Sequence, residues 1–433
     1  MTFVRNDGPL LLNTGTPVQL GSVLAKAGEG TIHDVVGHPE WVAKIFHPTL
    51  SDLDTKLAKV AAMVQGLPSG TIQPDGFVVL TWPLHVVSDA IGPVGYVMAR
   101  VDTATSVEIH TMSNPSNRLN PLPSAPQWTK QATWSHLVNV AANLCLAVES
   151  VHRVAAVIGD FQERNILVAN TTQVTLVDCD SMQFTGPDGA RFLCAVGRPE
   201  FIAPELAGAD LRADAREQSS DLFALAVHIH LLLMAGNHPF LRGTWTGEGD
   251  QPDALTLART GHWAGGPSSL LRPHPLAPPV TFLPLELRQL FVRAFTEGVH
   301  DPSVRPTGTE WRQALSRVQV VTCQADASHQ FPVGGDGCPW CVIDRERRLR
   351  RQSSARSGTV PLPQQPDPKP APTHAKGAWA QLSPAARTYL AVLAVVVVLI
   401  AVAAIGFVIW TLTLPSSVPQ HPGVKLTGLI TGW

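Results

Sequence analysis

Two short segments of this 433-residue sequence combine glycines, a lysine and strand-like flanks. Gly28-Glu29-Gly30 follows an apolar run, and glycines without side chains let a strand–turn–strand backbone approach phosphate groups closely. Lys44 comes fourteen residues after Gly30, inside the apolar segment 41–46. A lysine in a buried strand needs an anionic partner, whereas a lysine on an edge strand can snorkel to water. A buried Lys44 with an anionic partner predicts a phosphate-binding hairpin. An edge lysine that reaches water is the alternative.

A second group of residues supplies oxygen ligands. Asp160 and Asn165 lie five residues apart in a predicted loop, after a helical pattern that ends near His152. Asp178 ends the next apolar strand, 174–177. Carboxylate and amide oxygens at the ends of neighbouring strands suit Mg²⁺ and a positioned hydroxyl group. Each residue alone could also be a turn former, because Asp and Asn favour turns.

A third group has the spacing of a zinc site. It consists of one cysteine, a histidine and a CxxC pair: Cys323, His329, Cys338 and Cys341. These side chains provide four soft or borderline ligands for tetrahedral Zn²⁺. A thioredoxin-like redox role is less favoured, because the strand–helix unit in which such a pair normally lies is absent from the pattern. We therefore expect structural zinc here.

These motifs, in this order, resemble the protein kinase superfamily over about residues 16–319. The glycine turn is similar to the kinase glycine-rich loop, and Lys44 to the strand lysine that holds the ATP phosphates. The segment 160–165 has the catalytic-loop spacing, and Asp178 stands where kinases have the metal-binding Asp. Phe201–Glu205 matches the APE motif, and Arg305 the arginine that pairs with its glutamate. The resemblance implies an α+β, bilobal domain with a β-rich N-lobe and an α-rich C-lobe.

The resemblance also implies ligands and roles. Asp160 would accept or orient the proton of a Ser or Thr hydroxyl of a protein substrate, and Asn165 and Asp178 would bind Mg²⁺. Asp221 would brace the catalytic loop. The residues implied to contact ATP are Gly28, Glu29, Gly30, Val35, Val42, Lys44, Met98 (the gatekeeper), Ala99 and Val101, together with Asn165 and Asp178.

The sequence departs from the kinase pattern in three places. Ile158-Gly159 replaces the usual His-Arg, and Asp-Cys-Asp replaces the Asp-Phe-Gly motif at 178–180. The predicted helix 51–65 contains no glutamate to orient Lys44, so Asp52 and Asp54 are the carboxylates available there. We expect a serine/threonine kinase, and a nucleotide-binding pseudokinase scaffold is the alternative.

A narrower similarity is to bacterial kinase-domain proteins, many of which carry helix-hairpin-helix modules. It rests on segments such as 95–101 and 238–240. No such module is visible, and 34 acidic against 32 basic residues give a formal charge of −2. Nucleic-acid binding is therefore not expected, because it needs a concentrated basic excess. Six cysteines are too few for a disulfide-stapled secreted fold.

The C-terminal part predicts a membrane anchor. Residues 389–414 are 26 residues without a charge, more than the roughly 20 that span a bilayer as a helix; a buried core helix is the alternative. Basic residues precede this stretch, which predicts a single-pass protein of the cell membrane with the kinase-like domain in the cytoplasm. The predicted segments are an N-terminal extension (1–15), N-lobe (16–101), C-lobe (102–319), zinc knuckle (320–345), basic and Pro-rich linker (346–387), transmembrane helix (388–414) in the lipid bilayer, and outer tail (415–433).

Overall fold

The N-terminal part of the chain folds around one antiparallel sheet. The computed structural model describes residues 9–334 and 337–357. Seven strands form the sheet in the order β2-β1-β6-β7-β5-β4-β3. They are Leu10–Leu12 (β1), Pro17–Val18 (β2), Leu20–Lys26 (β3), Gly30–Val35 (β4), Trp41–Phe46 (β5), His85–Ser88 (β6) and Pro93–Ala99 (β7).

Strand β5 lies inside this sheet, between β7 and β4, and is buried on both faces. Its side chains alternate, so Ala43 and Ile45 enter one apolar cluster, while Val42 and Phe46 enter another. Helix α1, Leu53–Gln65, covers the second face with Leu57 and Val60, which recur at helical spacing. Lys44 lies between Val42 and Phe46 in the alternation and therefore faces α1.

The following part of the chain is mainly helical. Its helices are Ile109–Ser113 (α2), Pro115–Leu119 (α3), Trp134–His152 (α4), Gln218–Leu233 (α5), Ala254–Arg259 (α6), Leu285–Val292 (α7), Gly298–His300 (α8) and Gly308–Ser316 (α9). Short strands connect them: Val107–Glu108 (β8), Ile166–Val168 (β9), Val174–Leu176 (β10), Phe184–Thr185 (β11), Arg191–Phe192 (β12), Gly243–Trp245 (β13) and Leu271–Pro273 (β14). Helices α4 and α5 pack together in the largest apolar cluster of the described residues. This curled sheet followed by a helical lobe fits the kinase-like architecture expected from the sequence.

The zinc-knuckle segment continues directly from the helical lobe. It contains the hairpin Val320–Thr322 (β15) and Gln330–Pro332 (β16), followed by helix Pro339–Ser357 (α10). Trp340 of α10 stacks edge-on against Phe282, with ring centroids 5.8 Å apart. Ile343 is buried, so the knuckle packs on the helical lobe rather than standing apart from it.

Two features differ from the expected organisation. Strand β1 pairs with β6, so part of the predicted N-terminal extension belongs to the sheet, because Leu10–Leu12 is apolar enough to add a strand. Helix α10 runs through the arginine cluster to Ser357, so it includes the first residues of the basic and Pro-rich linker predicted from 346 onward. Its Arg, Glu and Leu residues are good helix formers, which explains the continuation.

The predicted membrane segment falls outside the described residues. Residues 388–414, and the predicted tail 415–433, belong to the part of the chain for which no structure is described. Within 9–334 and 337–357, none of the helices combines the length and apolar character needed to cross a bilayer.

Candidate active site

Lys44 lies at the centre of a carboxylate cluster. Its side chain is buried, and its Nζ donates to Asp180 Oδ2 at 2.7 Å and to Asp178 Oδ1 at 3.2 Å. Glu29 Oε2 is 3.9 Å from the same nitrogen. Because β5 lies between β4 and β7, Lys44 is not a snorkelling edge lysine. The anionic partner that its burial requires is present.

Asp180 is the carboxylate that binds Lys44 most closely. It is buried, and its other oxygen, Oδ1, accepts a hydrogen bond from the Tyr96 hydroxyl at 2.7 Å. Burial alone would lower the pKa of Lys44, but the Asp180 and Asp178 carboxylates outweigh burial and raise it. Burial likewise opposes ionisation of Asp180, yet Lys44 and Tyr96 hold the pKa of its carboxyl below the usual value. The pair is therefore ionised at neutral pH.

Helix α1 contributes lysines, rather than a carboxylate, to this region. Asp52 precedes α1, is exposed, and lies 3.5 Å from Lys56 of the same helix. Among the described residues, the carboxylates within 4.0 Å of Lys44 Nζ are Glu29, Asp178 and Asp180, so neither Asp52 nor Asp54 orients it. The carboxylates available on the predicted helix therefore do not replace the orienting glutamate.

The same helix also carries a buried lysine on its inner side. Lys59 is buried, and its positive charge favours the ionised form of Asp180. Burial lowers the pKa of Lys59 to about 8. Asp180 thus lies near two lysines, which offsets part of the cost of burying its carboxylate.

The glycine turn connects β3 and β4. A Cβ atom on Gly30 would lie 2.4 Å from the Ile45 carbonyl oxygen, so close packing against β5 requires glycine there. Gly28 is exposed and borders open space. Between them, Glu29 accepts a hydrogen bond from Lys56 Nζ at 2.8 Å. The turn therefore places a carboxylate, as well as backbone amides, beside Lys44.

The register of β4 decides which apolar side chains accompany Lys44. Ile32 pairs with Lys44 across the two strands, so their side chains share one face. Val35 is buried on the opposite face, with Ala43 and Ile45. The structure thus places Val35 away from the predicted nucleotide side, and Ile32 takes the position beside Lys44.

The remaining predicted nucleotide contacts lie along β5 and β7. Met98 pairs with Val42, and both belong to the apolar cluster on the Lys44 face. Strand β7 ends at Ala99, and Val101 follows as a partly buried residue of the connection between the lobes. This placement agrees with a gatekeeper at Met98 and a hinge after it; the contacts with adenine stay a prediction.

Asp160 and Asn165 are joined by hydrogen bonds. Asn165 Nδ2 donates to the Asp160 carbonyl oxygen at 3.0 Å and to its Oδ2 at 3.1 Å. Gln162 Nε2 donates to the same Oδ2 at 2.6 Å. With the amide in this orientation, Asn165 Oδ1 accepts no hydrogen bond from a described residue and can serve as a metal ligand.

Asp178 is held next to Asn165 by the backbone. The Val177 N–H donates to the Asn165 carbonyl oxygen at 3.0 Å, and β9 pairs with β10 directly beside this contact. Asp178 has φ 59° and ψ 39°, a left-handed conformation that Asp tolerates better than most residues. Its Oδ2 has no donor among the described residues. Asp178 and Asn165 thus lie on neighbouring segments, and carboxylate and amide oxygens suit Mg²⁺; their joint binding of one cation stays a prediction.

Asp221 of α5 braces the loop that carries Asp160, as predicted. Its carboxylate is buried and accepts from the backbone N–H groups of Ile158, at 2.7 Å, and Gly159, at 3.0 Å. His152 Nε2 lies 3.0 Å from the same carboxylate. These three contacts hold the first residues of the loop in place, although the usual His-Arg pair is replaced there by Ile158-Gly159.

Gly159 has a structural reason to replace arginine. Its φ is +71°, and a Cβ atom would lie 2.8 Å from Cys194 Sγ and 3.0 Å from Arg216 Nη1. The buried Arg216 guanidinium fills this space and donates to the carbonyl oxygens of Cys194 and Val196. An arginine from outside the loop therefore lies beside Gly159 and binds the backbone of the segment that follows Asp178.

The end of that segment is anchored by the predicted ion pair. Arg305 is buried and donates to both oxygens of Glu205, at 2.6 Å and 2.7 Å. It also donates to the Gly298 and Ser219 carbonyl oxygens. A bidentate, charge-assisted pair of this kind is a strong positional restraint.

Comparison with known proteins agrees with this geometry. The chain is 30% identical over 353 residues to protein kinase YegI of Escherichia coli K12, which is 79% of this chain and 51% of the relative. It is also 30% identical over 342 residues to protein kinase YegI of Escherichia coli O157:H7, 77% of this chain and 50% of the relative. The chain belongs to a protein-kinase-like family.

A shorter stretch of the chain is similar to a mouse kinase. Myotonin-protein kinase of Mus musculus is 33% identical over 103 residues, 23% of this chain and 16% of the relative. No family model matches the chain. The chain spans about half the length of the bacterial relatives that it matches.

The kinase-like chain also carries the predicted Cys3His cluster. One ligand atom from each of Cys323, His329, Cys338 and Cys341 lies within 4.8 Å of the others. Cys323 and Cys341 have their sulfurs 3.7 Å apart, and His329 Nδ1 is 3.6 Å and 3.5 Å from the sulfurs of Cys338 and Cys341. Tetrahedral zinc places two sulfurs about 3.8 Å apart, and a sulfur and a nitrogen about 3.6 Å apart. The cluster therefore fits Zn²⁺.

Carboxylates orient the histidine of this cluster. His329 Nε2 lies 3.4 Å from Asp344 Oδ2 and 3.7 Å from Asp326 Oδ2. A carboxylate on the outer nitrogen fixes the ring and leaves Nδ1 for the metal. Neither aspartate was singled out from the sequence, although Asp344 follows Cys341 by three residues.

Proposed function

We propose that this chain is an ATP-dependent protein kinase that transfers the γ-phosphate of ATP to serine or threonine of protein substrates. The arrangement that carries the proposal is the convergence of a buried, carboxylate-bound Lys44 with Asp178, which the backbone joins to Asn165 and so to Asp160. Few structural roles need this set of residues together, whereas phosphoryl transfer needs all of it.

The chain's own residues divide the work. Lys44 is held in place to donate to the phosphates, while Gly28 leaves room for the backbone of the turn to approach them. Asp160 has Oδ2 occupied by Asn165 and Gln162, which leaves Oδ1 to accept a hydrogen bond from the substrate hydroxyl. Positioning of the hydroxyl is thus set by hydrogen bonds within the loop.

Asn165 and Asp178 are the residues that would hold a divalent cation, since their oxygens are of the kind that Mg²⁺ prefers. When bound there, Mg²⁺ neutralises charge that develops on the phosphates. Asp180 acts on the phosphates only indirectly, because it binds Lys44 and not the metal. We propose that Asp180 replaces the helix glutamate that other kinases use to position this lysine, with Tyr96 fixing its orientation.

A pseudokinase scaffold is the second candidate. It is favoured by Glu29, whose carboxylate points toward Lys44 and would oppose the phosphates. Such a protein would bind nucleotide and recruit partners without phosphoryl transfer. Both candidates predict nucleotide binding, so the distinguishing measurement is turnover.

The phosphorylated residues in the products show whether Ser and Thr, or Tyr, accept the phosphate. The full chain is incubated with Mg²⁺, ATP and an equimolar mixture of generic Ser/Thr and Tyr protein substrates, and the phosphorylated residues are identified by mass spectrometry. We expect phosphoserine and phosphothreonine, at levels that a Lys44→Met variant does not produce. Phosphotyrosine as the main product would contradict the proposed specificity while leaving phosphoryl transfer intact.

We also propose that residues 388–414 anchor the protein in the cell membrane, with the kinase-like domain in the cytoplasm. The proposal rests on the uncharged stretch and on the basic residues that precede it. Fractionation of cells that express the full chain should recover it with membranes, resistant to carbonate extraction. Recovery in the soluble fraction would contradict the anchor.

The Cys3His cluster is proposed to hold one structural zinc ion.

A further inference from the structure

A cavity lies away from the candidate active site, where the zinc knuckle meets the helical lobe. Its volume is about 470 Å³. Helix α3, the first turn of α4 and the end of α5 form one side, and the knuckle with α10 forms the other. The volume is within the range of small-molecule sites, roughly 300–1,000 Å³.

Two basic side chains in the wall have no acidic partner. Arg118 and Lys130 both line the cavity, and neither has a carboxylate within 4.0 Å among the described residues. The Nε atom of Arg118 is buried without a hydrogen-bond partner, while its Nη1 donates to the Met112 carbonyl oxygen. Burial lowers the pKa of Arg118 to about 10, so it remains charged at neutral pH. A partly buried arginine without a counter-ion is costly unless a ligand supplies one.

The acidic residues of the wall are already engaged. Asp326 and Asp344 both face His329 Nε2, and Asp344 also lies 3.3 Å from Arg347 Nη1. Because these two carboxylates have partners within the knuckle, they leave Arg118 and Lys130 unneutralised. The cavity therefore has an excess of positive charge on the α3 side.

The rest of the wall is largely apolar. Side chains from both sides contribute to it, with Trp134 and Leu137 from α4, Leu232 from α5, and Trp340 and Ile343 from α10. Aromatic and aliphatic walls with a few polar groups are typical of sites that bind organic ligands rather than inorganic ions. A bare anion would leave this surface without contacts.

We propose that this cavity binds a small organic phosphate monoester, with its phosphate at Arg118 and Lys130 and an apolar body against Trp134 and Trp340. Two unpaired cations match the charge of about −2 on a phosphate monoester. The Arg118 guanidinium can also donate a charge-assisted hydrogen bond to its oxygens. The ligand would contact both the helical lobe and the knuckle, so its binding depends on their being packed together.

The test uses the full chain and phenyl phosphate as the probe, with inorganic phosphate and phenol as comparison ligands, in isothermal titration calorimetry. Phenyl phosphate should bind more tightly than either comparison ligand. Arg118→Met should weaken its affinity about 10- to 100-fold, because a charge-assisted hydrogen bond is lost. Lys130→Glu, at an exposed side chain, provides a second variant with little risk of misfolding, and it should also weaken binding.

The controls locate the binding site. Lys44→Met, in the candidate active site, should leave phenyl phosphate binding unchanged, so failure of the kinase proposal would not affect this result. Equal affinity for inorganic phosphate or for phenol would overturn the proposal, as would no detectable binding at millimolar concentration. Binding that Arg118→Met and Lys130→Glu leave unchanged, or that Lys44→Met abolishes, would also contradict it.

Discussion

Lys44 and Asp180 form a buried ion pair, with Nζ and Oδ2 2.7 Å apart. The two residues come from different lobes, since Lys44 lies in β5 and Asp180 follows β10. Asp180 is only two residues from the predicted metal ligand Asp178, so one short turn supplies both the lysine partner and the metal ligand. This arrangement removes the need for a carboxylate on α1.

Replacing Asp180 by asparagine should impair the site. Loss of the charge leaves Lys44 buried with a weaker partner, and a displaced lysine is expected to slow phosphoryl transfer on the order of 100-fold. Removal of one partner of a buried pair also costs about 3–5 kcal/mol of unfolding free energy. Turnover and urea unfolding measure the two effects.

The matched control for this variant is Asp54→Asn. Asp54 is an exposed carboxylate of α1, the helix that supplies the orienting glutamate in the kinase pattern. The Asp54→Asn substitution should change neither turnover nor the unfolding midpoint. A large loss of turnover in Asp54→Asn, with normal turnover in Asp180→Asn, would show that the assignment of the lysine partner is wrong.

Replacing Glu29 by glutamine should tighten nucleotide binding. The Glu29 carboxylate lies 3.9 Å from Lys44 Nζ, so it competes with phosphates for the lysine and repels them. Its partly exposed position limits the gain to about two- to five-fold in the dissociation constant for Mg·ATP. Calorimetry with the full chain measures it, and Glu248→Gln, in an exposed loop, is the control. Weaker binding by Glu29→Gln would instead indicate that Glu29 supports the bound nucleotide.

Removing zinc should loosen the contact between the knuckle and the helical lobe. The knuckle residue Gln330 accepts a hydrogen bond from the Ser135 N–H in the first turn of α4, at 3.2 Å, and Trp340 packs on Phe282. The purified protein should contain about one equivalent of zinc, and Cys338→Ser should lose it and unfold at a lower temperature. Cys145→Ala, a buried cysteine outside the cluster, should keep the metal. Full zinc content in Cys338→Ser would contradict the ligand assignment.

The stability of the helical lobe should fall in mild acid. His228 is buried, and burial lowers its pKa to about 4, although its ring lies 2.9 Å from the Phe161 carbonyl oxygen. Burial lowers the pKa of His230 to about 3. Because the unfolded histidines bind protons near pH 6.5 and the folded ones do not, stability is present above pH 6.5 and is lost as the pH falls toward 4.

A variant that cannot titrate isolates this effect. Each histidine contributes roughly 3 kcal/mol between pH 6.5 and 4, by the cost of 1.36 kcal/mol per unit of pKa shift. His228→Asn should therefore show a weaker dependence of unfolding free energy on pH over this range than the parent protein. An unchanged pH dependence would mean that His228 does not titrate with the predicted shift.

The order and spacing of motifs were enough to predict the main placements. Lys44 in a buried strand, Asp221 under the catalytic loop, and the Arg305–Glu205 pair are all where the sequence placed them. Each was implied by the resemblance to protein kinases, whose motifs occur in this order along the chain. The Cys3His cluster was predictable from its own pattern, since its ligands have a characteristic spacing.

Residues whose role depends on register or on distant packing could not be assigned in this way. Ile32, rather than Val35, faces Lys44, because an odd shift along a strand moves a side chain to the opposite face. Asp180 was visible as a neighbour of Asp178, but only the fold shows that it, and not a residue of α1, reaches Lys44. Arg216 fills the space at Gly159 from 57 positions away in sequence, which no local motif indicates.

The most direct test of the central claim is phosphoryl transfer by the full chain, with Asp160→Asn as the matched variant. Both proteins are incubated with Mg²⁺ and γ-labelled ATP, and label is followed on the protein and on generic substrates, beside thermal unfolding with and without ATP. We predict incorporation by the parent protein, little by Asp160→Asn, and stabilisation of both by ATP. Stabilisation by ATP without incorporation in the parent protein would contradict the kinase proposal and support a nucleotide-binding scaffold.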